Sequence, residues 1–356
     1  MRIINASIVT LLNLVFNWVI HLYSRDTYLK LGVGDMKVGI FTVLYNDRPL
    51  DKTLEYVSSI GYEAVELACW KGSSHINIDQ VTTGGASEIR SIVTKYGMQI
   101  SALSNHLESQ LILGPLDEST DIWFKGSPTE KIEYGVSRMK KTIDAAQTLN
   151  VPVVCGFTGA PEWGKWYNFP PTNEEIWNNY FKIFRERWLP ILDYASDHGI
   201  KIAFETHPME LNYNLDTAKA LVEAAGGHKA LGFNYDPSHF IWQHMSPVAF
   251  IYELHDRIFH VHAKDVEVVH YTADKTGVLA YGPWNRVARP VRFRTVGWGQ
   301  VPWRNVITAL LETGYNYVLS VEHEDPCFSR DSGVEQALFF LKPLVRVEPP
   351  EVKPWW

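Results

Sequence analysis

The sequence is short of cysteine, of basic runs and of anything resembling a linker, and each shortage removes a class of protein. Cys69, Cys155 and Cys327 are its three thiols, and they stand far apart. No CxxC pair occurs, so neither a zinc ribbon nor a disulfide framework is signalled, and a reducing, cytoplasmic setting fits best. Lysine and arginine total 33 against 40 acidic residues, a formal net charge of −7. Phosphate-backbone binding needs a basic face, and no Lys/Arg run supplies one, so no nucleic-acid partner is expected. The chain of 356 residues has no domain linker, which suits one barrel of about 250 residues plus insertions.

Aromatic residues, by contrast, are plentiful. Of 13 tryptophans, Trp163, Trp166, Trp284 and Trp298 fall in stretches that read as loops. They fit extra core or an oligomer interface, and they equally fit flat apolar platforms for the C–H faces of sugar rings.

Residues 1–35 do not share the pattern of the rest. Ile3 to Tyr23 is apolar and near membrane-spanning length, but Asn5, Asn13, Asn17 and His21 interrupt it. A signal peptide would have only Arg2 as its basic region and no convincing small-x-small cleavage site. Met36 opens MKVGIFTVLY, a clean first strand, and the preceding Gly-Val-Gly-Asp could be encoded by a purine-rich, ribosome-binding-like stretch. The expected start is therefore Met36, with 1–35 an upstream extension, 36–346 the catalytic barrel and 347–356 a tail.

From Met36 short apolar runs alternate with amphipathic ones, the pattern of a parallel sheet with crossover helices. Expected strands are Val38–Leu44, Ala64–Ala68, Gln99–Ser104, Val151–Phe157, Lys201–Glu205, Leu231–Tyr235, Ile258–His262 and Tyr317–Val321. Helices fit after Pro49 as far as Ile60, over Ser87–Tyr96, from an N-cap at Thr129 to Leu149, and over Asn173–His198, Thr217–Ala225, Pro247–Leu254 and Trp303–Thr313. A last one begins near Ser332 and ends before Pro343. Eight units in one order make a (β/α)8 TIM barrel the expected fold. The long connections Thr158–Thr172 and Asp265–Val301 both follow strands, on the face where such barrels keep their chemistry.

Four successive strands end on a potential ligand: Glu205 after Ile-Ala-Phe, Asp236 after Gly-Phe-Asn-Tyr, His262 in Ile-Phe-His-Val-His, and Glu322 after Val-Leu-Ser-Val. Taken singly, each has a bland reading, because a Glu after a strand is usually solvated, a His is usually a bonded core residue, and Asp before Pro starts turns. Together, at converging strand ends, three carboxylates and an imidazole form a mixed O/N set for one divalent ion, Mn²⁺ first, with Co²⁺, Mg²⁺ or Zn²⁺ as alternatives.

The motifs VGIFT, GYEAVEL, FETHP, NYDPSH, FHVHAKD and LSVEHED resemble the xylose-isomerase-like TIM barrels: sugar-phosphate isomerases and epimerases, tagatose 3-epimerase-type enzymes and inosose dehydratases. The resemblance covers about residues 37–345. It implies that Glu205, Asp236, His262 and Glu322 hold the metal, that Glu205 and Glu322 flank the substrate on opposite faces, and that His239 contacts substrate or metal. Tagatose-epimerase-type members carry an arginine where this chain has Val268, and the stretch beyond it, with Trp284, Arg286, Arg289, Arg292, Arg294 and Trp298, differs. Those arginines would suit a phosphate or carboxylate, and the tryptophans a neutral glycoside.

The expected activity is metal-dependent sugar isomerisation or epimerisation by proton abstraction beside a carbonyl, through an enediolate. Glu205, Glu322, His239 and His106 are the catalytic candidates. Glu66, Trp70, Lys264, Asp265 and Trp298 are the substrate-binding ones, while His75, His207 and His323 are weaker candidates. A homo-oligomer acting on a sugar or keto-sugar is the expected form. The rival enzyme is a lyase performing β-elimination on 3-keto sugars or C-glycosides, with a small β-rich partner subunit. A three-zinc DNA-repair endonuclease on this barrel would need a histidine ending strand four and an Asp-x-His after His262, and neither is present. A non-catalytic sugar-binding barrel would need no stoichiometric ion.

Overall fold

Eight short runs pair in parallel and close on themselves in the order β1-β10-β7-β6-β5-β4-β3-β2. This computed structural model describes residues 36–161, 174–279, 281–283, 286 and 288–345. The extension 1–35 with its membrane, signal and start-site readings, the tail 347–356, and Trp163, Trp166 and Trp284 lie outside the described residues. The barrel strands are β1 Lys37–Phe41, β2 Ala64–Ala68, β3 Gln99–Ser104, β4 Val153–Gly156, β5 Lys201–Glu205, β6 Leu231–Tyr235, β7 Ile258–Ala263 and β10 Val318–Val321. Beside them, β8 Asp265–Val268 and β9 Val291–Arg294 form an antiparallel pair. No helix among the described residues is long and apolar enough to cross a membrane.

Strand alternation sorts the side chains. One set, including Val65, Leu67, Ile202, Phe204, Leu231, Phe233, Tyr235 and Val261, belongs to the large core formed with the helices. The alternate set, Glu66, Ala203, Glu205, Asn234, His260, His262 and Ser320, is buried on the barrel's inner side. The lower interior is small and apolar, with Ala102, Val153, Cys155 and Ala203 in contact. Gly232 is needed on β6 because a Cβ there would stand 2.3 Å from the Phe259 ring.

Several element boundaries differ from the sequence expectation, for local reasons. β1 stops at Phe41 because a 3-10 turn, Thr42–Tyr45, follows, with Thr42 Oγ1 donating to the Glu66 carbonyl at 3.0 Å. β4 starts at Val153, since the Val151 N–H closes the preceding helix on Ala146 O at 2.8 Å and Pro152 has no N–H. The long helix is Pro128–Leu149, and its cap is Ser127, not Thr129. Ser127 and Glu130 form a capping box with Pro128 as first residue. The last helix is Arg330–Val345 and runs through Pro343. The carbonyl that Pro343 leaves unpaired is four residues back at Phe339, a residue 81 % exposed, where water can replace the lost bond. The connection after β7 is not a plain loop but the β8–β9 pair enclosing the helix His270–Thr276.

The capping box gives a stability prediction. Ser127→Ala should cost about 1 kcal/mol, read as a lower urea midpoint with unchanged slope. An unchanged midpoint would mean that the helix start is held by its packing alone.

Candidate active site and metal centre

Glu205 ends β5, His262 is the penultimate residue of β7, and Asp236 and Glu322 directly follow β6 and β10. Those strands are consecutive around the barrel, so the four side chains meet at one side of its C-terminal mouth. One ligand-type atom from each lies within 4.8 Å of the others. Asp236 performs two tasks at once. Its Oδ1 caps the helix Pro237–Trp242 by accepting from Ser238 N at 2.8 Å, while buried Oδ2 faces the cluster without a hydrogen bond of good geometry.

The donor set fits a divalent cation. His262 Nε2 is engaged by Glu66, and Nδ1, buried and without a hydrogen bond, stands 3.4 Å from both Glu205 Oε2 and Glu322 Oε2. Lys264 reaches Asp236 Oδ2 at 3.1 Å and Glu322 Oε2 at 2.8 Å. Once His262 gives up its proton to become a ligand, the three carboxylates of Glu205, Asp236 and Glu322 outnumber that ammonium by two charges, which is the charge of a divalent ion. Imidazole nitrogen with carboxylate oxygen suits a mid-series metal.

Each ionisation state follows from this crowding. Burial acts to raise the Glu66 carboxyl, but His262 and His260 outweigh it and hold it at about 2. Glu205 is also burdened by burial and is held well below the carboxylate range by His262, His106 and His239. For Glu322, Lys264 and His262 overcome burial and keep it low. His262 and Lys264 stay well above their ordinary values despite burial, because carboxylates surround them.

The histidines expected around the metal fall into two groups. His106 Nε2 lies 3.0 Å from Glu205 Oε2, with Nδ1 at 2.6 Å from Ser104 Oγ, and it forms a second ligand-type group with Glu205 and His262. His239 Nε2 lies 2.8 Å from Glu205 Oε1 and 3.2 Å from Asp236 Oδ2. The His207 ring packs 4.2 Å from His239, and burial lowers it to about 3, so it is a neutral neighbour. His323 packs against Gly333 and Thr295, and His75 bonds the Arg48 carbonyl at 2.9 Å, which ties the loops of the first two strands.

The substrate-binding expectations divide more sharply. Lys264 is in the cluster. Trp70 is half-buried, edge-on to Phe41, which in turn stacks on His262. Trp298 is 54 % exposed beside Phe328. Two positions differ from expectation. Glu66 lies inside the barrel at His262 rather than among exposed surfaces open to a sugar. Asp265 is fully buried and accepts from Val266 N, Gly297 N, Val301 N and Trp303 Nε1 at 2.8–3.1 Å. A Cβ on Gly299 would stand 2.1 Å from Asp265 Oδ1, so chain closes over this carboxylate. Asp265 thus shapes the loop and has no acceptor left for a sugar. Asp265→Asn would set an NH₂ group against those donors and should cost about 2–3 kcal/mol in urea unfolding, with metal affinity little changed. A large loss of affinity without loss of stability would instead place Asp265 at the site.

Two of the four arginines considered for an anionic substituent are held by carboxylates. Arg292 and Arg294 meet Glu267 at 2.9 and 2.8 Å, and Arg294 also meets Asp325 at 3.0 Å. The buried carboxylates that the sequence did not mark include Glu108 and Glu210 besides Asp325. Glu108 is held by Arg138 Nε at 2.7 Å, Tyr134 OH at 2.7 Å, Asn105 Nδ2 at 3.0 Å and Lys71 N at 3.1 Å. Glu210 lies 3.4 Å from Thr158 Oγ1. None of the three terminates a strand, so position alone did not mark them.

Comparison with known proteins agrees with this architecture. A family profile described as xylose isomerase-like TIM barrel matches residues 54–344. The uncharacterized protein YfiH of Bacillus subtilis (strain 168) is 26 % identical over 339 residues, spanning 87 % of this chain and 99 % of that one. A zinc-bound structure of the IolI protein superposes with a TM-score of 0.62 at 17 % identity, over 87 % of this chain and 98 % of that one. A structure of L-ribulose 3-epimerase gives 0.60 at 14 % identity, over 87 % and 94 %. At such identities the likeness of structures is one of fold.

Proposed function

Because the chain belongs to the xylose isomerase-like TIM barrel family, we propose that it is a divalent-metal-dependent sugar isomerase or epimerase acting on the carbon beside a carbonyl. The observation that carries this reading is the cluster of Glu205, Asp236, His262 and Glu322 at one mouth of the barrel, with ligand-type atoms within 4.8 Å of one another. A bound cation would supply Lewis-acid stabilisation of the charge that develops on two neighbouring substrate oxygens.

The side chains divide the remaining work. Glu205 has both oxygens engaged, Oε1 by His239 and Oε2 by His106 and His262. Glu322 has its close contacts on Oε2 alone, and its side chain keeps 13 % exposure against 4 % for Glu205. Glu322 is therefore the carboxylate placed to take the proton. His106, on Glu205 and next to the Phe157 ring at 4.7 Å, is placed to deliver one. His239 holds Glu205 and Asp236 in register.

The proximity of His106 also favours a second reading, elimination from the same enediolate, in which His106 protonates a leaving oxygen. The test is net conversion of a panel of ketoses, inososes and 3-keto glycosides by metal-loaded protein. An epimer or isomer as product supports the first reading and loss of a substituent the second, and His106→Ala should slow either by about 10²-fold or more. A loaded protein inert on all three substrate classes would contradict both readings.

A further inference from the structure

The interior of a (β/α)8 barrel is usually filled with bulky apolar side chains. In this chain a fully buried carboxylate occupies it. Glu66 projects inward from β2, and β1 and β10 separate β2 from β7, so the side chain reaches His262 across the lumen. Its Oε1 and Oε2 lie 3.1 and 3.0 Å from His262 Nε2. Ser320 donates to Oε2 at 2.8 Å. Phe41 stacks on the His262 ring with centroids 5.6 Å apart and planes 27° from parallel.

An ionised carboxylate is costly to bury without a donor. Since a carboxylate only accepts, His262 Nε2 must carry the hydrogen that it receives. In the neutral ring Nδ1 is then a lone pair, and that nitrogen faces Glu205 and Glu322. We propose that Glu66 is a positioning residue, which fixes the tautomer and ring orientation of His262 so that Nδ1 is permanently presented to the metal. A carboxylate behind a metal-binding imidazole also raises its basicity as a ligand. The inference rests on the metal reading above and adds a residue to it that touches neither ion nor substrate.

Another role for Glu66 has geometric support. Glu66, Cys155 and His260 also have ligand-type atoms within 4.8 Å of one another. His260, however, has both nitrogens engaged, Nδ1 with Asn234 Oδ1 at 3.1 Å and Nε2 with Ser101 Oγ at 3.2 Å. Cys155 is completely buried in the small apolar floor of the barrel. A second ion there would have to break the Glu66 contacts with His262 and Ser320.

The experiment measures Zn²⁺ affinity by chelator competition, with stoichiometry, for the full chain, Glu66→Gln and Ser320→Ala. The His262 ring resonances of the Zn²⁺-loaded proteins are recorded alongside by ¹⁵N–¹H NMR. Glu66→Gln should bind about 10–100-fold more weakly, and its Nε2–H signal should lose the downfield shift given by a charged acceptor. Ser320→Ala, which leaves both charges in place and serves if the first variant folds poorly, should weaken binding by a smaller factor in the same direction. Wild-type affinity and an unshifted Nε2–H signal in Glu66→Gln would overturn the inference while leaving the metal site intact. A fall from two ions to one would overturn it by making Glu66 a ligand. A wild-type chain that binds no ion would overturn the metal reading itself.

Discussion

Removal of the divalent ion should reduce turnover by about 10³-fold or more, and stoichiometric Mn²⁺ or Co²⁺ should restore it. The size follows from what is left behind. Without a cation, Glu205, Asp236 and Glu322 converge with Lys264 as the ammonium among them. Lys264 can balance one carboxylate but cannot polarise a carbonyl and its neighbouring hydroxyl together. The same convergence makes binding a stability term. An ion at 100 times its dissociation constant should add about 2.7 kcal/mol, a rise of several degrees in Tm. Binding should weaken as pH falls, because His262, held above its ordinary value by the surrounding carboxylates, must shed its proton to serve as a ligand, whereas Glu205 and Glu322 are already ionised. A stripped protein with full activity and unchanged Tm would remove the ion from the account.

Glu322→Gln should lower kcat by about 10²–10⁴-fold. The amide keeps the shape, loses the charge and cannot accept the substrate proton. Glu322 also lies 2.8 Å from Lys264, so part of any loss could come from weaker metal binding or a disturbed fold. Measurement at saturating metal, with urea unfolding beside it, separates these contributions. Glu322→Asp should recover metal binding before it recovers turnover, because the shorter carboxylate keeps the charge but draws back from the reacting carbon. Full kcat in Glu322→Gln would move the base elsewhere, with His106 the next group at hand.

The residues legible in the sequence are those whose position is set by their own strand. Glu205, Asp236, His262 and Glu322 could be picked out because period-two alternation and an apolar run fix which side chain leaves the strand inward and at which end. β2, β3, β5 and β6 likewise match the expected runs, since Gly, Pro and polar residues punctuate them. The misreadings concern partners distant in sequence. Asp265 looks like a substrate contact until Gly297, Val301 and Trp303 close on it. Arg292 and Arg294 look free until the β8–β9 register sets Glu267 opposite Arg292 and diagonal to Arg294. Glu66 meets His262 across 196 positions of chain, and no local pattern encodes that contact. Thr129 lost the cap to Ser127 for a simpler reason, that the Glu three residues on completes the box.

Every favoured reaction of this site begins with removal of a proton beside a carbonyl, so hydrogen exchange with solvent reports on the central claim most directly. The metal-loaded chain, incubated in D₂O with ketoses, inososes and 3-keto glycosides, should place deuterium at one carbon of product or recovered substrate. That carbon is C3 for a 3-epimerase, C1 or C2 for an aldose–ketose isomerase, and C2 of a 3-keto sugar for the lyase. Exchange should collapse in Glu322→Gln and on removal of the ion, and net conversion, scored in parallel, covers a proton returned internally without exchange. Absence of both exchange and conversion across the three substrate classes, with metal bound, would contradict the account.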